Sequence, residues 1–166
     1  VTVSRDLSLI VQYATPAPEL PRWRLRRWVQ HALSSVLMVE AEAGMPDRFR
    51  AASFTLRLVD ADEGRRLNHE FRHKDYATNV LTFEYGIDPE GMASGDIVLC
   101  LPVLYREAAE QKKTILAHAA HLTVHGVLHA LGYNHIDPEE ATDMEMLEAS
   151  ILEKIGIANP YQETGG

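Results

Sequence analysis

His125-Gly126-Val127-Leu128-His129-Ala130-Leu131-Gly132-Tyr133-Asn134-His135 is the stretch on which the reading of this chain turns. Four residues on a helix are just over one turn, a rise of ~6 Å. His125 and His129 therefore share a helical face and can grip one ion between them. Gly132 can take the left-handed conformation that ends a helix. The chain then turns back, and His135 can add a third nitrogen. Three imidazoles leave a tetrahedral ion one open position, which is a catalytic arrangement rather than a closed structural one. The expected cofactor is one Zn2+ per chain, although imidazole also accepts other divalent transition metals.

The spacing matches the metzincin-type pattern His-x-x-x-His-x-x-Gly-x-x-His. It departs from it at Gly126, where a metallopeptidase carries the Glu that acts as general base. Spacing alone favours a zinc peptidase, and Gly126 opposes it. His118 and His121 continue the same helical stripe and are read as residues that support a ligand from behind, pack or are solvated, rather than as ligands. A non-enzymatic metal protein is the third reading, in which a fourth protein ligand would close the site.

Outward from this stretch, helical spacing continues over 115–131, with further helices over 103–112 and 138–155. Upstream, 21–43 and about 60–71 read as helices. Residues 7–13, 53–59, 79–85 and 96–100 read as strands, the last two pairing as a hairpin. Strands and helices do not alternate regularly, which argues against a doubly wound sheet. The expected fold is a single α+β domain over 1–157, a mixed four-stranded sheet packed with about five helices, with a zincin-like metal helix. Residues 158–166 are expected to form a loose tail.

The chain has 166 residues, and 24 acidic against 16 basic side chains give a net charge of −8. That balance argues against sequence-blind DNA binding, which leaves a basic footprint. One cysteine, Cys100, excludes an intrachain disulfide and a Cys-based zinc cluster. No apolar run approaches the ~18–20 residues that span a bilayer, and 7–11 is too short for a signal-peptide core. The expectation is a cytoplasmic protein with no membrane contact.

Two further blocks accompany the histidines. One is Leu67-Asn68-His69-Glu70-Phe71-Arg72-His73-Lys74-Asp75-Tyr76-Ala77-Thr78-Asn79-Val80-Leu81-Thr82-Phe83, and the other is Gly95-Asp96-Ile97. An acidic stretch over 139–153, with Asp143, Met144, Glu145 and Met146, follows. With the segment from His125 to His135, these resemble the YbeY family, bacterial metal-dependent endoribonucleases of ribosomal RNA maturation. The resemblance covers roughly 59–161. It implies single-stranded RNA as substrate, 16S rRNA 3′-end processing and ribosome quality control as the task, and the ribosome or small-subunit proteins as partners. Asn134 stands where the family usually has Asp before the last His, and it cannot add negative charge near a metal.

Phosphodiester cleavage needs an activated nucleophile and positive charge at the non-bridging oxygens. Arg72 is the candidate phosphate clamp and catalytic residue, because its planar fork can take two oxygens; the resemblance implies the same. Lys74 is a second substrate-binding candidate. Asp75 and Thr78 are read as loop-shaping residues. Asp96 is left between orienting a ligand imidazole and serving as a structural carboxylate. Arg22, Arg24, Arg26 and Arg27, interleaved with Trp23 and Trp28, could hold an RNA backbone or form a solvated face over a buried Trp28. No general base is evident. Asp137, Glu139 and Glu140 lie near His135 but equally suit a helix N-terminus.

Overall fold

The computed structural model describes residues 7–134 and 136–161. In chain order the elements are β1 (Leu7–Tyr13), α1 (Arg22–Glu42), β2 (Ala51–Val59), α2 (Ala61–Arg72), β3 (Val80–Ile87), β4 (Met92–Cys100), α3 (Leu101–Glu110), α4 (Ile115–Ala130) and α5 (Pro138–Lys154). Among the described residues these are four strands and five helices, the expected α+β fold. The sheet order is β1-β2-β4-β3. β1 and β4 each pair in parallel with β2, whereas β3 pairs antiparallel with β4 as the expected hairpin.

Period-two alternation gives the sheet two unlike faces. Phe54, Leu56 and Leu58 of β2 and Ala93, Ile97 and Leu99 of β4 join the main core with α1, α4 and α5. Leu81, Val59, Val98 and Cys100 form a smaller cluster on the other face, with Leu67 of α2 and Phe83 of β3 packed against it. α2 covers only part of that face. The helix starts follow from their caps: Asp60, Thr114 and Asp137 accept from the backbone amides of Glu63, Ala117 and Glu140 at 2.8–3.0 Å.

β4 begins four residues before the expected Asp96. Met92-Ala93-Ser94-Gly95 lacks branched residues and reads as turn, but it lies in register with 51–54 of β2 and completes that ladder. Two glycines set α4 close against β4. A Cβ on Gly126 would come 2.9 Å from Ile97 Cγ2, and one on Gly95 would come 2.9 Å from the Ala130 Cβ. The helix bearing the histidines therefore lies directly on the sheet.

Candidate functional site

α4 carries His118, His121, His125 and His129 along one stripe, and the four sort into different roles. His118 is buried, 3 % exposed. Its Nε2 lies 2.9 Å from Glu107 Oε1, which also accepts from Asn79 Nδ2 at 3.0 Å. Burial pulls its pKa below the usual imidazole value, despite the neighbouring Glu107. His118 thus ties α4 to α3 and to the start of β3. The His125 and His129 rings lie beside each other, centroids 5.7 Å apart and inclined by 54°. Two imidazoles bound tetrahedrally to one Zn2+ at the usual Zn–N length would hold their centroids about 5 Å apart. The His121 ring is 6.5 Å from that of His125.

Glu148, on α5, organises this stripe. It is fully buried, and its Oε1 lies 2.5 Å from His125 Nδ1. Its Oε2 accepts from the Tyr161 hydroxyl and lies 3.5 Å from His121 Nε2. Burial would raise the carboxyl, but the hydrogen bonds from His121, His125 and Tyr161 outweigh it and bring the pKa down to about 2. Burial and the adjacent Glu148 push the Tyr161 phenol well above its ordinary value. Tyr161, in the stretch expected to be loose, is thereby joined to α5.

The carboxylate fixes a proton on His125 Nδ1 and leaves the lone pair on Nε2. That is the tautomer and orientation of a metal-ligating histidine supported by a carboxylate. The residues present therefore fit a metal. His135 lies outside the described residues. Among the described residues, no three of His, Cys, Asp and Glu converge as a metal-binding group.

Arg72 ends α2, and His73 follows in the left-handed region at φ 59°. Arg72 and Lys74 are exposed, and neither side chain has a hydrogen-bond or ion-pair partner among the described residues. The loop beyond them is braced: Asp75 takes both arms of Arg65 at 2.7 and 2.9 Å, and Asn68 Nδ2 donates to the Tyr76 carbonyl at 2.8 Å. Asp75 shapes this loop, as expected. α2 packs against β4 and α3, whereas α4 packs against β3 and β4 from the other side of the sheet. The edge strand β3 thus lies between Arg72 and the histidine stripe.

Comparison with known proteins places this geometry. The sequence profile of the endoribonuclease YbeY family matches residues 11–156. The chain belongs to the YbeY endoribonuclease family. It is 60% identical over 159 residues to the endoribonuclease YbeY of Bordetella pertussis strain Tohama I, covering 96% of this chain and 98% of the relative. Identity to the Bordetella petrii protein of that name is 62% over 157 residues, covering 94% of this chain and 97% of the relative. The Burkholderia pseudomallei K96243 protein is 51% identical over 158 residues, covering 95% of this chain and 81% of the relative. The fold is also that of the solution structure of TM1509 from Thermotoga maritima, with TM-score 0.53, 18% identity and coverage of 95% and 98% of the two chains. No helix among the described residues is long and apolar enough to cross a membrane.

Asp96 lies away from the histidines. It is on the partly open sheet face, where its Oδ2 accepts from the Tyr85 hydroxyl at 2.8 Å. The carboxylate that orients His125 is Glu148, which sequence reasoning missed. Its signal was position: Glu148 falls on the α5 stripe with Met144, Leu147, Ile151 and Leu152, and a charge on a buried stripe needs a partner. Three of the four arginines near the start of α1 make contacts within the chain, and Arg27 is exposed. Arg26 Nη2 donates to the Leu7 carbonyl at 2.9 Å, Arg22 lies over the Tyr13 ring and Arg24 over Trp23. Trp28 is in the core. Asp137 caps α5.

Proposed function

We propose that this chain is a metal-dependent endoribonuclease of single-stranded RNA, acting in the cytoplasm on ribosomal RNA, including 16S 3′-end maturation, with the ribosome or small-subunit proteins as partners. His125, His129 and His135 would hold one Zn2+ or a similar divalent ion. The observation that carries the reading is the buried Glu148 locked onto His125 Nδ1 beside His129, in a chain of the YbeY family. When bound, the ion would supply positive charge at a phosphoryl oxygen and lower the pKa of a water bound to it.

The chain's own residues do the rest. Glu148 holds the His125 ring in one tautomer. Arg72, exposed and unpaired among the described residues, offers a planar fork to two phosphate oxygens, with Lys74 two residues on. Neither role needs a carboxylate at position 126. The Cβ direction there points at Ile97, so a side chain at 126 would enter the sheet. That opposes the peptidase reading.

The test is cleavage of a defined single-stranded RNA by metal-reconstituted protein, beside a general peptide substrate and a His129→Ala control. RNA cleavage lost in the control supports the proposal, and a 2′,3′-cyclic phosphate end would identify the RNA 2′-hydroxyl as nucleophile. Peptide hydrolysis with intact RNA would overturn it.

A further inference from the structure

The part of the sheet that α2 leaves uncovered carries a second constellation, away from the histidines. Gln12, Arg57 and Val98 form one row across β1, β2 and β4, and Thr55, Asp96 and Phe83 form the next across β2, β4 and β3. Between these rows and α2 lies a cavity of about 250 Å³, walled by Leu67, Phe71, Phe83 and Tyr85. That is below the roughly 300–1,000 Å³ of sites enclosing a drug-sized ligand, and it suits one flat ring.

Its walls are built for such a ring. Phe71 and Tyr85 are 55% and 63% exposed and so present ring surface to solvent. Phe71 and Phe83 meet edge to face, centroids 5.3 Å apart, which presents ring surface from two directions. The Tyr85 ring is fixed by its hydroxyl bond to Asp96 Oδ2. Arg57 is held by Glu63 at 2.5 and 3.1 Å and by Gln12 at 3.1 Å. Its guanidinium donors are engaged by these partners, and its plane lines the cavity wall. Asp96 offers an acceptor to an N–H group at the ring edge. Directly after Phe71 come Arg72, His73 and Lys74, all exposed. Aromatic faces beside unpaired cations are the chemistry that holds single-stranded nucleic acid, bases stacked and phosphates neutralised.

We infer that this cavity is a nucleobase subsite for single-stranded RNA, in which a base stacks against Phe71, Phe83 and Tyr85 with an N–H directed at Asp96, while the adjoining phosphates lie at Arg72 and Lys74. The subsite rests on the proposed RNA substrate and deepens it. β3 is the edge strand, with Phe83 and Tyr85 on the face away from α4, so the RNA would cross its open edge between subsite and histidines. The subsite needs no metal.

The experiment measures fluorescence anisotropy of a labelled single-stranded oligoadenylate with chelator-stripped protein, and KM and kcat for RNA cleavage by reconstituted protein. Tyr85→Ala and Phe71→Ala should each weaken binding on the order of tenfold, the scale for one lost stacking partner. KM should rise with kcat unchanged, and the melting temperature of Tyr85→Ala should hold. Tyr85→Trp should restore affinity and show indole quenching by RNA beyond that of the parent chain. Binding by both alanine variants within twofold of the parent overturns the subsite while leaving the nuclease reading intact. A parent chain that neither binds nor cleaves RNA overturns both. Unchanged RNA binding with self-association lost in Tyr85→Ala would assign the face to a second copy of the chain and overturn the inference.

Discussion

Replacing Gly126 with Glu tests the orientation of α4 and the peptidase alternative together. A Cβ at 126 meets Ile97 Cγ2 at 2.9 Å and its Cγ1 and Cδ1 at 3.4 Å. Ile97 is fully buried and, being β-branched, has few rotamers to retreat to. Overpacking of this kind costs about 1–3 kcal/mol, while Gly→Ala inside a helix returns about 1 kcal/mol. Gly126→Ala should therefore be destabilised by at most about 2 kcal/mol. Gly126→Glu sends a carboxyl group into the same apolar wall, and burying a polar group without a partner adds a few kcal/mol. At about 2–4 °C per kcal/mol for a chain of this size, Gly126→Glu should melt roughly 5–15 °C below the parent. Melts should be run after chelation, so that ligand linkage does not mask the difference. Reconstituted variants are then assayed on RNA and on peptide. If Gly126→Glu melts with Gly126→Ala and gains peptide hydrolysis that His129→Ala abolishes, position 126 faces the site and the orientation of α4 derived above is wrong.

Elemental analysis should find metal sharply reduced in His125→Ala, His129→Ala and His135→Ala, but retained in His118→Ala, which should instead lower the melting temperature; full retention in His135→Ala would remove it from the ligand set. Glu148→Gln keeps the shape but weakens the hold on His125, and chelator competition should show metal affinity down by about 10–100-fold. Arg72→Ala should lower kcat/KM for RNA cleavage with the melting temperature unchanged, since the side chain is exposed, and Arg72→Lys should rescue only in part. The Arg65 guanidinium holds the Asp75 carboxyl below its ordinary value. The order it lends the loop is thus present above the ordinary carboxylate pKa and lost as pH falls through the lowered one; an NMR titration should show that depressed midpoint, and Arg65→Gln should return it to normal.

Local rules made most of the fold readable. The histidine helix was expected over 115–131 and runs Ile115–Ala130, because its apolar spacing and Thr114 cap are both short-range signals. The β3–β4 hairpin was readable for the same reason. The first half of β4 was not, since Met92-Ala93-Ser94-Gly95 becomes strand only through its ladder with β2, a partner 41 residues earlier in sequence (Met92 with Ala51). The candidate site divides the same way. His125 and His129 are one turn apart on one helix, so their juxtaposition is written in the local spacing. Glu148 meets His125 only through the packing of α5 on α4, 23 residues along the chain. Asp96 lies in a motif beside the histidine helix, yet strand alternation turns it to the opposite face; its neighbour Ile97 is the residue that meets Gly126.

Net charge was the least informative sequence quantity for an RNA-binding role, and the structure shows why. The chain carries −8 overall, but an RNA phosphate senses mainly charges within a Debye length, about 8 Å at physiological ionic strength. Around α2 and the histidine stripe several acids are paired, Glu63 with Arg57, Asp75 with Arg65, and Glu148 with His125, whereas Asp62 and Glu70 of α2 stand exposed. Glu107 holds His118 and Asn79. Further along the molecule, Glu40 is paired with Arg48, and Glu139 and Glu140 sit in the first turn of α5, where the helix dipole offsets them. Arg72 and Lys74 have no such carboxylate among the described residues. Arg72 and Lys74 are thus exposed cations without a bonded carboxylate on a negative protein, and altering acidic surface more than a Debye length away should change RNA affinity far less than neutralising these two side chains.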